Sequence, residues 1–287
     1  RERMLVELKN LGYSENNNLF ISYYNIGNYE GAGINTLKMY LPENDYKAVI
    51  VNGTVAASAA KNVMFNNMKY SGVFVNVTDP VGVGLIKKLN VKPDYNFTGI
   101  AYPVSVEERL TFLRKLFPKA KKIGYIYADM PQSISYNQWL ADALAKPEFK
   151  DIELISRKVD FIKSEGGYKR MIQIATPFVT ELDSIVDVFL SPNDQLGSQE
   201  DFAMMIYQNA SKPLIGLAGE KGCTASYGPN LEENGVLLAH MVKRLIEGTL
   251  VKDIIPTNSK PKVYVDDEKM KKFGAKLPDE YKKLLIR

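Results

Sequence analysis

Short apolar runs alternate along this chain with longer segments whose apolar residues recur at helical spacing. The runs at 19–24, 47–51, 72–75, 97–101, 122–127, 152–157, 184–190 and 213–216 predict strands. The segments at 33–41, 55–65, 82–89, 104–117, 133–146, 166–178, 195–209 and 231–247 predict helices. Strand and helix in strict turn imply right-handed βαβ crossovers and parallel sheets. The series is longer than one sheet usually holds, so two similar sheets are the simpler solution. A break at Ala101-Tyr102-Pro103, after which the pattern restarts, divides them. Near the end, Lys262-Val-Tyr-Val-Asp266, a Lys-rich stretch and Leu277-Pro278 predict a closing strand and a terminal helix. At the start, Leu5, Leu8 and Leu11 stand at helical spacing before Gly12, so the chain is expected to open inside a helix.

Composition narrows the class. With 287 residues, 45% hydrophobic and 24% charged, the chain can fill two core-bearing lobes and is too mixed to be disordered. The net charge of +4 is spread along the sequence, which does not indicate nucleic acid. One cysteine, Cys223, rules out an internal disulfide, and one histidine, His240, leaves no His/Cys cluster for a structural metal. Cys223 reads as a small buried hydrophobe and His240 as a helix residue. No stretch of about 18 apolar residues is present, so none predicts a membrane-spanning helix. The motifs of common catalysts are missing: Gly82-Val-Gly84 lacks the third glycine of a dinucleotide loop, and no nucleophile elbow, phosphate loop or zinc-protease motif occurs.

Candidate chemistry collects where predicted strands end. The run Ala48-Val49-Ile50-Val51 stops at Asn52-Gly53-Thr54 and enters a helical segment. The run Val73-Phe74-Val75 stops at Asn76-Val77-Thr78-Asp79-Pro80 and enters Gly82-Val-Gly84. At the carboxyl edge of a parallel sheet, such loops offer backbone N–H groups and the positive end of a helix dipole, so each is expected to cradle an anion. Two readings stand beside each other. Thr54 and Asp79 are either helix caps or ligand contacts, Asp194 is a cap or a site carboxylate, and Glu220 is a solvated loop charge or an acceptor.

At this point the sequence resembles a known family. The blocks "VNVTDPVGVGLIKKL", "NFTGIAYPVSVEERLTFLRKLFPKAKKIGYIY", "LSPNDQ", "NGVLLAHMVKRLIEG" and "KKFGAKLPDEY" look, in order and spacing, like the ABC-transporter substrate-binding family with a type I periplasmic-binding fold. The resemblance covers nearly the whole chain. It implies two Rossmann-like lobes with parallel sheets and a hinge, 1–102 plus 228–258 forming the first and 103–227 plus 259–287 the second. It also implies that the first strand of lobe 1 precedes Arg1, together with any export signal or lipid anchor.

By the same resemblance the protein is no enzyme and carries no cofactor and no metal. It is expected to be an extracytoplasmic monomer that captures a small zwitterion in an interlobe cleft and delivers it to a membrane permease. A sensing domain of a signalling receptor with the same fold is the alternative. The ligand contacts carried over are Asn52, Gly53, Thr54, Thr78 and Asp79 from the first lobe, with Ser133, Asp194, Glu220 and Tyr227 from the second. Backbone N–H groups and the Thr54 hydroxyl would hold a carboxylate, and Asp194 or Glu220 an ammonium group. An aromatic wall would draw on Tyr23, Tyr102, Tyr136 or Tyr227. Several family members take tryptophan or tyrosine, which slightly favours an aromatic amino acid here. The chain departs from the family pattern at Asn230-Leu231-Glu232, where an aromatic contact is lost, at Pro192-Asn193-Asp194-Gln195 and at Asp266-Asp267.

Overall fold

Two sheets form, each inside its own unit of the chain. The computed structural model describes residues 1–164 and 166–285. Unit 1 comprises Arg1–Tyr102 and Asn230–Lys260, and unit 2 comprises Pro103–Pro229 and Pro261–Arg287. The chain therefore passes between units after Tyr102, Pro229 and Lys260.

In unit 1, α1 (Glu2–Asn10) and α2 (Glu30–Tyr40) precede β1 (Val49–Asn52), α3 (Thr54–Met64), β2 (Gly72–Val77) and β3 (Phe97–Ala101); α8 (Leu231–Ile246) and β9 (Thr257–Asn258) return to it. The strands pair in parallel in the order β1-β2-β3-β9. Side chains alternate across β2 as the pleat requires. Val73 and Val75 pack with Ile100 under α1 and α8, while Phe74 packs with Phe97 under α3. The alternation breaks at Asn76, where φ is +54° and the register shifts between Val75 and Val77. That bulge returns Val77 to the face of Phe74. Gly99 (φ +151°) lies so close to β2 that a Cβ there would stand 2.0 Å from the Phe74 carbonyl oxygen. Only glycine fits that approach.

Two sequence expectations fail in unit 1. The run at 19–24 is not a strand: apart from a single bridge between Glu15 and Leu19 it has no ladder partner among the described residues, and Phe20 and Tyr23 are 77% and 67% exposed. An apolar run suits a strand, but a neighbouring strand must complete it. The segment 82–89 is a series of turns instead of a helix. Gly84 adopts φ +81°, Gly84 N donates to Val81 O and Leu85 N to Pro80 O, and the two glycines carry the entropic cost that disfavours a helix.

In unit 2, α4 (Val106–Leu116), β4 (Lys122–Ala128), α5 (Pro131–Leu144), β5 (Glu153–Val159), α6 (Gly167–Asp183), β6 (Val188–Leu190), α7 (Glu200–Asn209), β7 (Leu214–Gly216) and β8 (Ala225–Pro229) follow in order, and β10 (Pro261–Val265) and α9 (Asp267–Lys272) close the chain. The sheet runs β10-β8-β7-β6-β4-β5, parallel except where β10 pairs antiparallel with β8. Ile123, Tyr125, Val188, Leu190, Ile215 and Tyr227 pack on the face covered by α4 and α5. Ile126, Ala128, Phe189 and Leu214 pack on the face covered by α6 and α7. Helix ends follow capping rules: Ser105 accepts from Glu108 N at 3.3 Å and Asp266 from Lys269 N at 2.9 Å. The strand β8 escaped the sequence reading because its run Ala-Ser-Tyr-Gly-Pro has little apolar signal, although every residue in it is buried. The helix expected from 195 begins at Glu200, since 194–199 is a turn around Asp194.

Candidate functional site

At the carboxyl edge of unit 1, β1 ends at Asn52 and Gly53 (φ +91°) swings the chain into α3. Gly53 N donates to Val75 O at 2.9 Å, which seats the turn on β2. Thr54 is the first residue of α3 and not its cap; its buried hydroxyl oxygen accepts from Thr78 N at 3.3 Å. Asn76 Nδ2 donates to Asn52 Oδ1 at 2.9 Å. The edge thus brings Asn52, Gly53, Thr54, Asn76 and Thr78 together. Gly53 at the N-cap of α3 supplies no side-chain cap, which leaves the N–H groups of the first turn without that acceptor at the positive end of the helix dipole.

The second anion cradle expected from the sequence does not form. Gly82 N donates to Asp79 Oδ1 at 2.7 Å, and no helix follows. The anion satisfying that loop is the chain's own Asp79 carboxylate, which closes the 79–85 turn.

The carboxyl edge of unit 2 carries three buried polar side chains, Ser133, Asp194 and Glu220. Asp194 Oδ2 accepts from Ala128 N at 2.8 Å and from Ser133 Oγ at 3.2 Å, and Oδ1 accepts from Gly197 N at 2.9 Å. One carboxylate therefore joins the end of β4, the first turn of α5 and the loop after β6. Burial pushes its pKa from the usual carboxylate range up to about 6, against the opposing pull of those donors. Glu220 braces the loop after β7: Leu217 N donates to Oε2 at 2.9 Å and Ala218 N to Oε1 at 2.8 Å. Only 6% exposed, Glu220 is not a solvated loop charge, and burial raises its pKa as well.

Sequence reading missed Arg109. Its side chain, 1% exposed, reaches from α4 to the same edge. Nη1 donates to Tyr136 Oη at 2.8 Å, and Nη2 donates to Ser191 O and Gly216 O, each at 2.9 Å. Helical spacing held the signal, since Arg109 sits among Val106, Leu110 and Leu113 on the buried stripe of α4. A cation in an apolar stripe needs buried partners, and here they are the carbonyls closing β6 and β7.

The tyrosines divide. Tyr227 is buried: alternation along β8 turns its ring onto Phe112 and Tyr281, at 5.6 and 5.9 Å between centroids, and its hydroxyl meets Glu108 at 3.0 Å. Tyr136, also buried, serves Arg109. Tyr23 is exposed beneath the Arg1 guanidinium, 5.2 Å from its ring centre. Tyr102 N donates to Val77 O at 2.9 Å, just past β3. Cys223 is buried, which pushes its thiol pKa up, and His240 lies half exposed on α8 beside Glu7. No group of three or more His, Cys, Asp or Glu is placed to hold a metal among the described residues.

Comparison with known proteins places the chain. The sequence model of the ABC transporter substrate binding protein family matches residues 4–284. A tyrosine-binding protein of Clostridioides difficile is 25% identical over 271 residues, 92% of this chain and 73% of its own length. Among solved structures, a conserved domain protein of Vibrio cholerae aligns with a TM-score of 0.81 at 23% identity, covering 99% of this chain and 92% of that one. A Streptococcus pneumoniae ABC domain in complex with L-Trp aligns with a TM-score of 0.78 at 20% identity, covering 99% and 93%. At that identity the structures speak for the fold, which is that of type I periplasmic binding proteins. The chain belongs to the ABC transporter substrate binding protein family.

Proposed function

We propose that this substrate-binding protein captures a free amino acid, with an aromatic side chain favoured, outside the cytoplasm and hands it to the membrane permease of an ABC importer. The family match over residues 4–284 carries the transport role, and the tyrosine-binding relative supports the ligand class. The charge layout agrees with a zwitterion. Unit 1 offers uncapped N–H groups at the start of α3, with Asn52, Gly53, Thr54 and Thr78, to a carboxylate. Unit 2 offers Asp194, Glu220 and Ser133, an edge with two carboxylates against one guanidinium, which favours a cationic group. Asp79 shapes the unit 1 edge through its turn. The protein works as a monomer, held at the cell surface by a lipid anchor.

The test is calorimetry and thermal denaturation of protein freed of co-purified solute, with L-tyrosine, L-tryptophan, L-leucine, myo-inositol and adenosine as probes. An aromatic amino acid at 100 times its dissociation constant should stabilise the fold by about 2.7 kcal/mol. Stabilisation by adenosine or myo-inositol alone would overturn the amino-acid reading. Stabilisation by L-leucine alone would overturn only the aromatic preference.

A further inference from the structure

We propose that Arg109 is the positioning residue of the unit 2 edge, fixing the loops that present Asp194 and Glu220 so that both carboxylates meet the ligand in one geometry. The inference rests on the amino-acid reading above and adds to it a residue that contributes no ligand contact of its own.

Three observations carry it. First, one guanidinium nitrogen joins two loops: Arg109 Nη2 donates to Ser191 O, three residues before Asp194, and to Gly216 O, four residues before Glu220, both at 2.9 Å. Second, the other arm holds Tyr136 on α5, the helix whose first turn carries Ser133, itself bonded to Asp194. Ser133, Asp194 and Glu220 thus stand on the three segments that Arg109 holds directly, each three or four residues from the atom it bonds. Third, Arg109 is expensive. It is 1% exposed, and among the described residues it makes no direct ion pair and its Nε has no hydrogen-bond partner. Stability alone favours an apolar side chain at such a site over a buried cation. A planar fork that can reach two carbonyls and a hydroxyl at once is what lysine lacks. The charge has a second effect, because Arg109 lowers the pKa of Glu220, which burial and the neighbouring Cys223 otherwise leave in an apolar setting.

The test compares wild type with Arg109→Lys, which keeps the charge and loses the fork, and Arg109→Met, which loses both. Amide hydrogen exchange is read for 191–197 and 216–220 against β4, affinity is measured with L-tyrosine and L-tryptophan, and the Glu220 carboxyl is titrated by carbon NMR. Both variants should exchange at least tenfold faster in the two loops with β4 unchanged, and bind the amino acid at least tenfold more weakly. Glu220 should titrate higher in Arg109→Met but not in Arg109→Lys, a difference that loosened packing alone does not produce. Loop exchange equal to wild type in folded variants would overturn the proposal, as would unchanged affinity with loosened loops. Should the Met variant fail to fold, the Lys variant decides by exchange and affinity. Should wild type bind neither amino acid, the ligand reading fails separately, and exchange with the Glu220 titration still decides whether Arg109 positions these loops.

Discussion

The two units are built alike and finish their carboxyl edges differently. In unit 2 the edge is tied by buried charged side chains: Arg109, Asp194 and Glu220 are each 6% exposed or less, and each holds two or more backbone groups. In unit 1 the same edge is left to backbone and neutral side chains. Asn52 is exposed, Gly53 turns the chain, Thr54 and Thr78 bond each other, and the one carboxylate, Asp79, serves its own turn. One βα architecture can therefore present charge through buried, fixed side chains or through the dipole of a helix start. The first design holds its groups rigidly and is costly to disturb; the second is cheap to alter.

Asp194→Ala should break this contrast most visibly if it fails. Removing the carboxylate leaves Ala128 N and Gly197 N buried without their acceptor. Chemical denaturation should show a loss of roughly 3–5 kcal/mol. A loss under 1 kcal/mol would mean the unit 2 edge is no more tightly braced than that of unit 1.

The pH dependence of Asp194 should come next in size. Its carboxyl titrates near pH 6 when folded, against a reference value of 3.8. Between those values the native state holds a proton that the unfolded chain has released, so this group's contribution to stability falls as pH rises through the window and is level above it. The Asp194→Asn variant lacks the titration. The stability difference between wild type and Asp194→Asn should therefore shrink from pH 4 to pH 6.5 by up to about 3 kcal/mol. A difference independent of pH would remove the buried-carboxylate account.

Smaller effects are expected in unit 1. Thr54→Val removes the acceptor of Thr78 N in a buried position and should cost about 1–2 kcal/mol. Affinity for L-tyrosine should fall with it, measured by calorimetry, if the hydroxyl also meets the ligand carboxylate. Asp79→Ala loses one bond to Gly82 N at a partly exposed turn and should cost only about 0.5–1 kcal/mol in the same denaturation assay. Were Asp79→Ala to cost as much as Asp194→Ala, the two edges would be equivalent after all.

Much of the architecture is legible in the sequence. The expected strand 97–101 coincides with β3, and the expected helix 231–247 with α8 to within one residue at its end, because each combines strong periodicity with a boundary signal. The break at Tyr102-Pro103 coincides with the first passage between units. The segment 19–24 shows where this logic stops, since it is an apolar run with no ladder partner among the described residues.

Fold class, the position of the edge loops and the family itself follow from the sequence, because they depend on local periodicity and on the order of motifs. What the tertiary structure alone decided is what each edge residue touches. Asp79 and Asp194 look the same in sequence, an acid just after a strand. One folds back on the amide three residues on, and the other also receives donors from Ala128 and Ser133, more than sixty residues before it. Tyr227 was sent into the core by the pleat of β8, and Arg109 was brought to the edge by the packing of α4 on the sheet. Burial and long-range hydrogen bonds turn an ordinary charged residue into a fixed one, and neither is a property of the residues next to it in the chain.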